Sequence, residues 1–481
     1  MKQLSTSNNR FSGYARRGAL LLALGAAGPG AWGQSFGPAS LYRGYGPPTD
    51  ATLADVNKDG RMDIIANGEG YTSGSVNILL GQTNGFAPVQ NIPTSGAAPS
   101  RGVAVGDING DGWLDIVSAA SSNLLTLGLV RGSSTGFGQV TEYPVNSMPG
   151  TLGVAVNDTD GNGYADVVFL QSSPYGRVVF APGQASGLVL GSSGLSGGSL
   201  NPTSLALADM NGDGRPDIVT SNGDQKIEVW LRGTQYFSSS PTYSIWIPTV
   251  PGGIALGDVD ADGRPDIVVG SKSAGSAVGV MLGQPTGFAP ITYYATGGNV
   301  SSSIALGDVN GDGRKDIVTG NYGSGTVSVL VSQPTGFAPA QTYSFGRYTA
   351  SSFIYKGVAV GDVNNDNRPD IVVANNYSDV AVLLNTGTYT PLATARPTAA
   401  PDITLAPNPA HDDFTVTLPA GTQATQGTLL NALGQVVATQ AVPATAQGSR
   451  LSFQTTGLAA GVYTLRLLVG NATLAKRVVL Q

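Results

Sequence analysis

From about residue 35 to 390 the chain alternates short apolar runs with polar turns on a period near 50 residues. In each unit an apolar alternating run leads into an acidic stretch, as in Val103-Ala-Val-Gly-Asp107 and Ile304-Ala-Leu-Gly-Asp308. A β-branched run leaves it, as in Asp115-Ile-Val and Asp266-Ile-Val-Val. A third run follows a short polar turn (Thr326-Val-Ser-Val-Leu330), then a Pro-Thr-Gly turn, then a fourth run such as Phe337-Ala-Pro-Ala-Gln-Thr-Tyr343. Runs this short and this rich in β-branched residues predict strands rather than helices. Four sequential strands per unit, in seven units, predict an all-β fold, a seven-bladed β-propeller over residues 34–390. The stretch Phe36-Gly-Pro-Ala-Ser-Leu-Tyr42 precedes the first unit and has no blade of its own. It is expected to pair into the seventh blade, so that both chain ends close the ring. Thr388-Tyr-Thr-Pro-Leu392 competes for that place.

The acidic stretches are one nonapeptide repeated seven times. Position 1 is Asp55, Asp107, Asp158, Asp209, Asp258, Asp308 or Asp362, with starts 49 to 54 residues apart. Position 3 is Asn57, Asn109, Asp160, Asn211, Asp260, Asn310 or Asn364, and position 5 is Asp59, Asp111, Asn162, Asp213, Asp262, Asp312 or Asp366. Position 9 is always Asp: Asp63, Asp115, Asp166, Asp217, Asp266, Asp316 and Asp370. A hard cation such as Ca²⁺ takes six to eight oxygens, and a short loop supplies them only by turning sharply around the ion. The turn falls at position 6, which is glycine in six copies and Asn367 in the seventh, residues that tolerate positive φ. Position 7 would add its backbone carbonyl, from Arg61, Trp113, Tyr164, Arg215, Arg264, Arg314 or Arg368. Asx-turns without metal are the plain alternative. Charge argues against it, because 22 of the chain's 31 carboxylates crowd into these loops and repel unless a cation sits among them. Up to seven Ca²⁺ are therefore expected. EF-hands and dockerins set similar loops beside helices with an acid at position 12. Here β-branched residues follow position 9, and position 12 is never acidic.

Composition narrows the chemistry. There is no cysteine and one histidine, His411, which excludes disulfides, thiol catalysis and cysteine-ligated zinc. His411 sits beside Asp412 and Asp413 and reads as a surface residue. Residues 1–33 read as a signal peptide, with Lys2, Arg10, Arg16 and Arg17 before the apolar run Gly18–Ala27 and small residues Ala31 and Gly33 before Gln34. Their removal takes four positive charges, so the net charge moves from −6 to about −10. The acidity lies in the loops and no basic stripe stands elsewhere, so a nucleic-acid partner is not expected.

The Gly-Phe-Ala-Pro copies at 85–88, 287–290 and 336–339, with the Asp-x-Asn-x-Asp-Gly-x-x-Asp loops, resemble the FG-GAP or VCBS repeat family of integrin α-like propellers. The resemblance implies a loop between the first and second strands of each blade that binds Ca²⁺. Residues 391–401 have a linker's composition. Residues 402–481 carry short alternating strands expected to form a small Ig-like β-sandwich. Their Leu405-Ala-Pro-Asn-Pro409 opening, Leu433-Gly-Gln435 turn, Gly461-Val-Tyr463 strand and Lys476-Arg-Val-Val-Leu480 tail are similar to the C-terminal sorting domain of type IX secretion. That implies passage across the outer membrane, with the machinery as a partner and the outer-membrane surface as one destination.

Two functions compete. The first is a secreted or surface adhesion module binding glycan or extracellular protein, with tyrosines 71, 175, 322 and 377 and the 347–356 connection on the face opposite the loops. Packing against neighbouring blades is the plainer role for those tyrosines, and for the Trp113 and Tyr164 rings. The second is a polysaccharide lyase or glycosidase. Nine carboxylates lie outside the loops, and Glu69, Glu142, Asp224, Glu228 and Asp379 are scattered along the chain, whereas glycosidases need two flanking one bond.

Overall fold

The computed structural model describes residues 35–387 and 404–480. Excepted are 70–73, 95–99, 121–125, 145–150, 172–176, 191–193, 196–201, 234–236, 238–240, 272–276, 300, 347–356, 376–378, 407–409, 412, 418–423, 431–435, 442–449, 457, 459–460 and 470–471. The signal segment, the linker, Thr388–Leu392, tyrosines 71, 175 and 377 and the 347–356 connection lie outside the described residues. Every described element is a strand.

Seven four-stranded antiparallel sheets follow one another. The sixth shows the plan: Ser301–Gly307, Asp316–Asn321, Thr326–Leu330 and Gln341–Ser344, each paired with the next. The second and third strands are buried on both faces, as at Ile317, Val318, Val327 and Val329. This explains their β-branched runs without alternation. The expected fourth strand divides in two. Gly336–Phe337 pairs with Ser332–Gln333 in a small hairpin, and the outer strand begins only at Gln341. Pro339 falls between them and has no N–H to give a ladder.

The seventh sheet is assembled from both ends of this region. Val358–Gly361, Asp370–Ala374 and Asp379–Leu383 supply three strands, and Ser40–Arg43 pairs with Asp379–Leu383 as the fourth. Phe36 bridges to Asn385, and the Thr386 amide donates to the Ser35 carbonyl (2.8 Å). Apolar side chains join each sheet to the next. Val117, Leu127 and Leu129 of the second pack with Val154, Val167 and Phe169 of the third, and Val318 and Val329 of the sixth pack with Ile371 and Val373 of the seventh. The seventh in turn packs on the first, through Val372, Val380 and Val382 against Ile64, Ala66 and Leu79.

Aromatic rings tie outer strands to the hairpins of the next sheet. Tyr243 meets Phe288, Tyr294 meets Phe337, and Tyr42 meets Phe86, edge to face with centroids 5.0–5.6 Å apart. Tyr343 meets Phe36 in the same way at 5.1 Å, so Phe36, bridged to Asn385, stands in the seventh sheet where Phe86, Phe288 and Phe337 stand in theirs. First strands join through polar side chains near their starts. Asp50 accepts from the Val103 amide (3.0 Å), and Ser303 accepts from that of Val358 (2.9 Å). These strands surround a cavity of about 320 Å³ lined by Asp50, Val103, Val154, Ile254, Ile304 and Val358.

Residues 404–480 form two sheets, one of three strands (Thr404–Ala406, Asp413–Thr417, Arg450–Gln454) and one of four (Ala424–Leu430, Val436–Ala441, Gly461–Val469, Ala472–Leu480). Phe414 and Phe453 stack at 5.1 Å within a core that also holds Leu429, Leu465, Leu467 and Val478 from the other sheet.

Candidate metal centres

Each nonapeptide joins the first and second strands of its sheet, and its hydrogen bonds repeat from copy to copy. In the sixth, Asp308 Oδ1 accepts from the amides of Gly311 (2.7 Å) and Asp312 (3.0 Å), and its Oδ2 accepts from Gly313 (2.7 Å). Asn310 Oδ1 also accepts from the Asp312 amide (2.9 Å), and its Nδ2 donates to Asp312 Oδ2 (3.0 Å). Asp312 Oδ1 accepts from the Arg314 amide (2.8 Å). The bond from the position 6 amide to the position 1 carboxylate measures 2.7–2.9 Å in all seven loops. The loop therefore turns the amides of positions 5 and 6 onto the position 1 carboxylate.

Position 6 has positive φ in every loop: 82° to 87° in the six glycines and 63° at Asn367. Sequence reasoning missed position 4, which is also left-handed in every loop, at Lys58, Gly110, Gly161, Gly212, Ala261, Gly311 and Asn365 (59° to 76°). Four glycines and an asparagine there were the available signal. Lys58 and Ala261 hold a conformation that costs a side-chain-bearing residue roughly 1–2 kcal/mol.

Position 9 does more than was read from sequence. All seven of these aspartates are fully buried. One oxygen accepts from the position 2 amide (2.7–3.1 Å). The other accepts from the amide where the third strand ends, at Gly81, Gly132, Gly183, Arg232, Gly283, Ser332 and Asn385 (2.6–2.9 Å). Each clamps the loop to its own sheet, and apart from Asp166 Oδ2, which also accepts from the Thr159 hydroxyl (2.6 Å), an oxygen with one such bond keeps a second lone pair for a cation. Burial pushes their carboxyls up, the amide bonds pull part of the way back, and carboxylates at positions 1, 3 or 5 add to the rise. Asp316 reaches about 7, and Asp115, Asp217, Asp266 and Asp370 about 6; Asp63 and Asp166 are raised too.

Carboxylate oxygens come within 4.8 Å of one another in two triads, Asp158, Asp160 and Asp166 and Asp258, Asp260 and Asp262. In the other five loops position 3 is Asn57, Asn109, Asn211, Asn310 or Asn364, which offers an amide oxygen, and the carboxylates at positions 1, 5 and 9 do not gather within that distance. The donor set is oxygen throughout, which fits a hard divalent cation and not zinc. Other expected residues fall elsewhere. Tyr322 is buried against Phe345, the packing role that was the plainer expectation, and is not available on an exposed rim. Trp113 stands beneath Lys58 Nζ, 4.4 Å from the ring centroid. Glu228 is buried beside Asn222, Asp224 pairs with Lys226, and Glu142 and Asp379 lie on other sheets.

Six overlapping stretches, 55–118, 107–169, 158–220, 209–269, 258–319 and 308–373, match the FG-GAP-like repeat. Together they run through well over half the chain. The chain belongs to the FG-GAP-like repeat family. Because each match runs from one loop into the next sheet, six repeats take in all seven loops. Residues 404–481 match the secretion system C-terminal sorting domain, which indicates export through type IX secretion to the cell surface or extracellular space. Human integrin alpha-6 is 30% identical over 132 residues, 24% of this chain and 12% of that relative's length. Chains from crystals of BBS1N in complex with ARL6DN match over 73% of this chain and 96% of theirs. The mercury-soaked form has a TM-score of 0.50 at 12% identity and the lead-soaked form 0.48 at 13%. The former is a likeness of fold alone.

Proposed function

We propose that the FG-GAP region is a closed seven-bladed propeller, stabilised by calcium, that acts outside the cell as a binding or adhesion module for glycan or protein. The observation that carries the reading is the sevenfold recurrence of one acidic loop, with amides closing on its position 1 carboxylate, a buried carboxylate at position 9 and left-handed backbone at positions 4 and 6, joined by the two carboxylate triads. The core shared by the seventh and first sheets supports ring closure. The two facing sheets of residues 404–480 are read as an Ig-like sandwich serving the secretion machinery.

Calcium has a structural role here. Each ion would neutralise three or four carboxylates and hold together the first and second strands of one blade. Extracellular calcium modules bind at roughly 10⁻⁴ to 10⁻³ M, so these sites fill outside the cell. Binding would fall to the face opposite the loops, where the blade-to-blade connections run and where Trp246 and Tyr45 are the exposed large aromatics among the described residues. A glycan array run beside a polysaccharide-depolymerisation screen tests the module. Retained, calcium-dependent binding without turnover is expected. Turnover without retained binding would replace this reading with an enzyme.

A further inference from the structure

On the calcium reading, position 7 contributes only its carbonyl, which leaves its side chain available. Four loops turn an arginine back on their own position 5 carboxylate: Arg61 on Asp59 (3.4 Å), Arg215 on Asp213 (2.6 Å), Arg264 on Asp262 and Arg368 on Asp366. In three the side chain reaches the preceding loop. Trp113 lies under Lys58, and Tyr164 crowds Gly110 so closely that a Cβ there would sit 2.7 Å from the ring. Arg314 donates to the Asp260 carbonyl (2.9 Å). Arg314 is the internal control, the same residue at the same position in a loop with the same Asp, directed away from its own carboxylate.

A guanidinium on the position 5 carboxylate removes charge that an incoming cation would otherwise meet. We propose that the position 7 arginine is a resident counter-ion that sets calcium affinity, so the array is graded rather than seven equal sites. The loops starting at Asp55, Asp209 and Asp362 hold together better without metal and bind it more weakly. Those starting at Asp107, Asp158 and Asp308 bind more tightly. The loop at Asp258 falls between, because Asp260 adds a fourth carboxylate against Arg264. The inference rests on the calcium reading and adds a prediction of its own.

The test combines Arg61→Gln, Arg215→Gln, Arg264→Gln and Arg368→Gln in the full chain, with Arg314→Gln alone as control. Glutamine keeps the position 7 carbonyl. Calcium is titrated calorimetrically into metal-stripped protein, and melting is recorded without calcium. Wild type should fill in two phases. The quadruple variant should melt lower without metal, and the midpoint of its weaker phase should fall about two- to five-fold, the range expected of partly exposed ion pairs; Arg314→Gln, which loses only its bond to the Asp260 carbonyl, should leave the midpoint unchanged. Should the quadruple chain misfold, Arg215→Gln alone should lower the heat-weighted midpoint in the same direction. An unchanged or raised midpoint, or an equal effect of Arg314→Gln, overturns this inference alone. A wild-type chain that takes up no calcium overturns it together with the calcium reading.

Discussion

The sixth and seventh sheets present the same contacts built in two ways. The sixth is one run of chain, whereas the seventh borrows its outer strand and the matching phenylalanine from residues 35–43, over 300 residues earlier. The correspondence extends to single atoms. The Ser332 amide donates to Asp316 and the Asn385 amide to Asp370, both at 2.8 Å. Ser332 Oγ and Asn385 Nδ2 then donate to the Val259 and Val309 carbonyls of the preceding loops, again at 2.8 Å. The geometry of a sheet in this protein is therefore set by its neighbours and its loop, and chain continuity is secondary. Sheet seven should accordingly be as well formed as sheet six yet easier to open, because its fourth strand can leave without unravelling anything else.

Deleting residues 35–43 should break the comparison most severely. It removes four ladder pairs and the buried Phe36 ring and leaves an open edge on Asp379–Leu383. Phe→Ala at a buried site alone costs about 3–5 kcal/mol, so a loss of about 5 kcal/mol or more is expected in chemical denaturation. A synthetic peptide of residues 35–43 added in trans should restore much of it. No loss on deletion would remove the case for closure by the N-terminal strand.

Asp316→Ala and Asp370→Ala probe what the two sheets share. Each strips two buried amides of their acceptor, at about 1–3 kcal/mol per orphaned group. The two variants should therefore lose about 2–6 kcal/mol each and match within error. A large inequality would mean that the clamps are not equivalent.

Acidity separates the two sheets. In metal-free protein the folded state holds the position 9 carboxyls protonated to higher pH than the unfolded chain does. Stability should therefore fall as pH rises from about 4 to about 7, the reverse of ordinary acid denaturation. Asp316 should titrate near 7 and Asp370 near 6 in carbon-detected NMR. Melting of the stripped chain that worsens steadily on acidification through that window would contradict the burial argument.

The smallest effect concerns position 6. Asn367→Gly should gain and Gly313→Asn should lose about 0.5–1 kcal/mol, since both positions have positive φ. Equal stability of the two variants and wild type would show that the left-handed turn is not limiting.

Much of this was legible in the sequence because repetition multiplies weak signals. One Asp-x-Asn-x-Asp-Gly is an ordinary turn, and seven in register fix strand order, loop placement and the need for glycine or Asn367 at position 6. Phe36–Tyr42 could be assigned to the seventh sheet because it had no unit of its own. The left-handed position 4 was obscured by Lys58 and Ala261, which reveal no backbone preference. The clamp role of position 9 was hidden because its partners across the sheet, such as Ser332 and Asn385, are backbone amides 15 to 18 residues away whose side chains vary. Tyr322 left two roles open because a turn tyrosine reads the same whether its ring points to solvent or, as here, to Phe345.

The central claim is that the loops fold around metal, and melting of stripped protein with and without about 1 mM Ca²⁺ tests it most directly. Calcium at ten times its dissociation constant adds about 1.4 kcal/mol per site, so several occupied loops should raise the melting temperature well beyond error, and chelator should reverse the gain. Identical melting curves in calcium and in chelator would contradict the account.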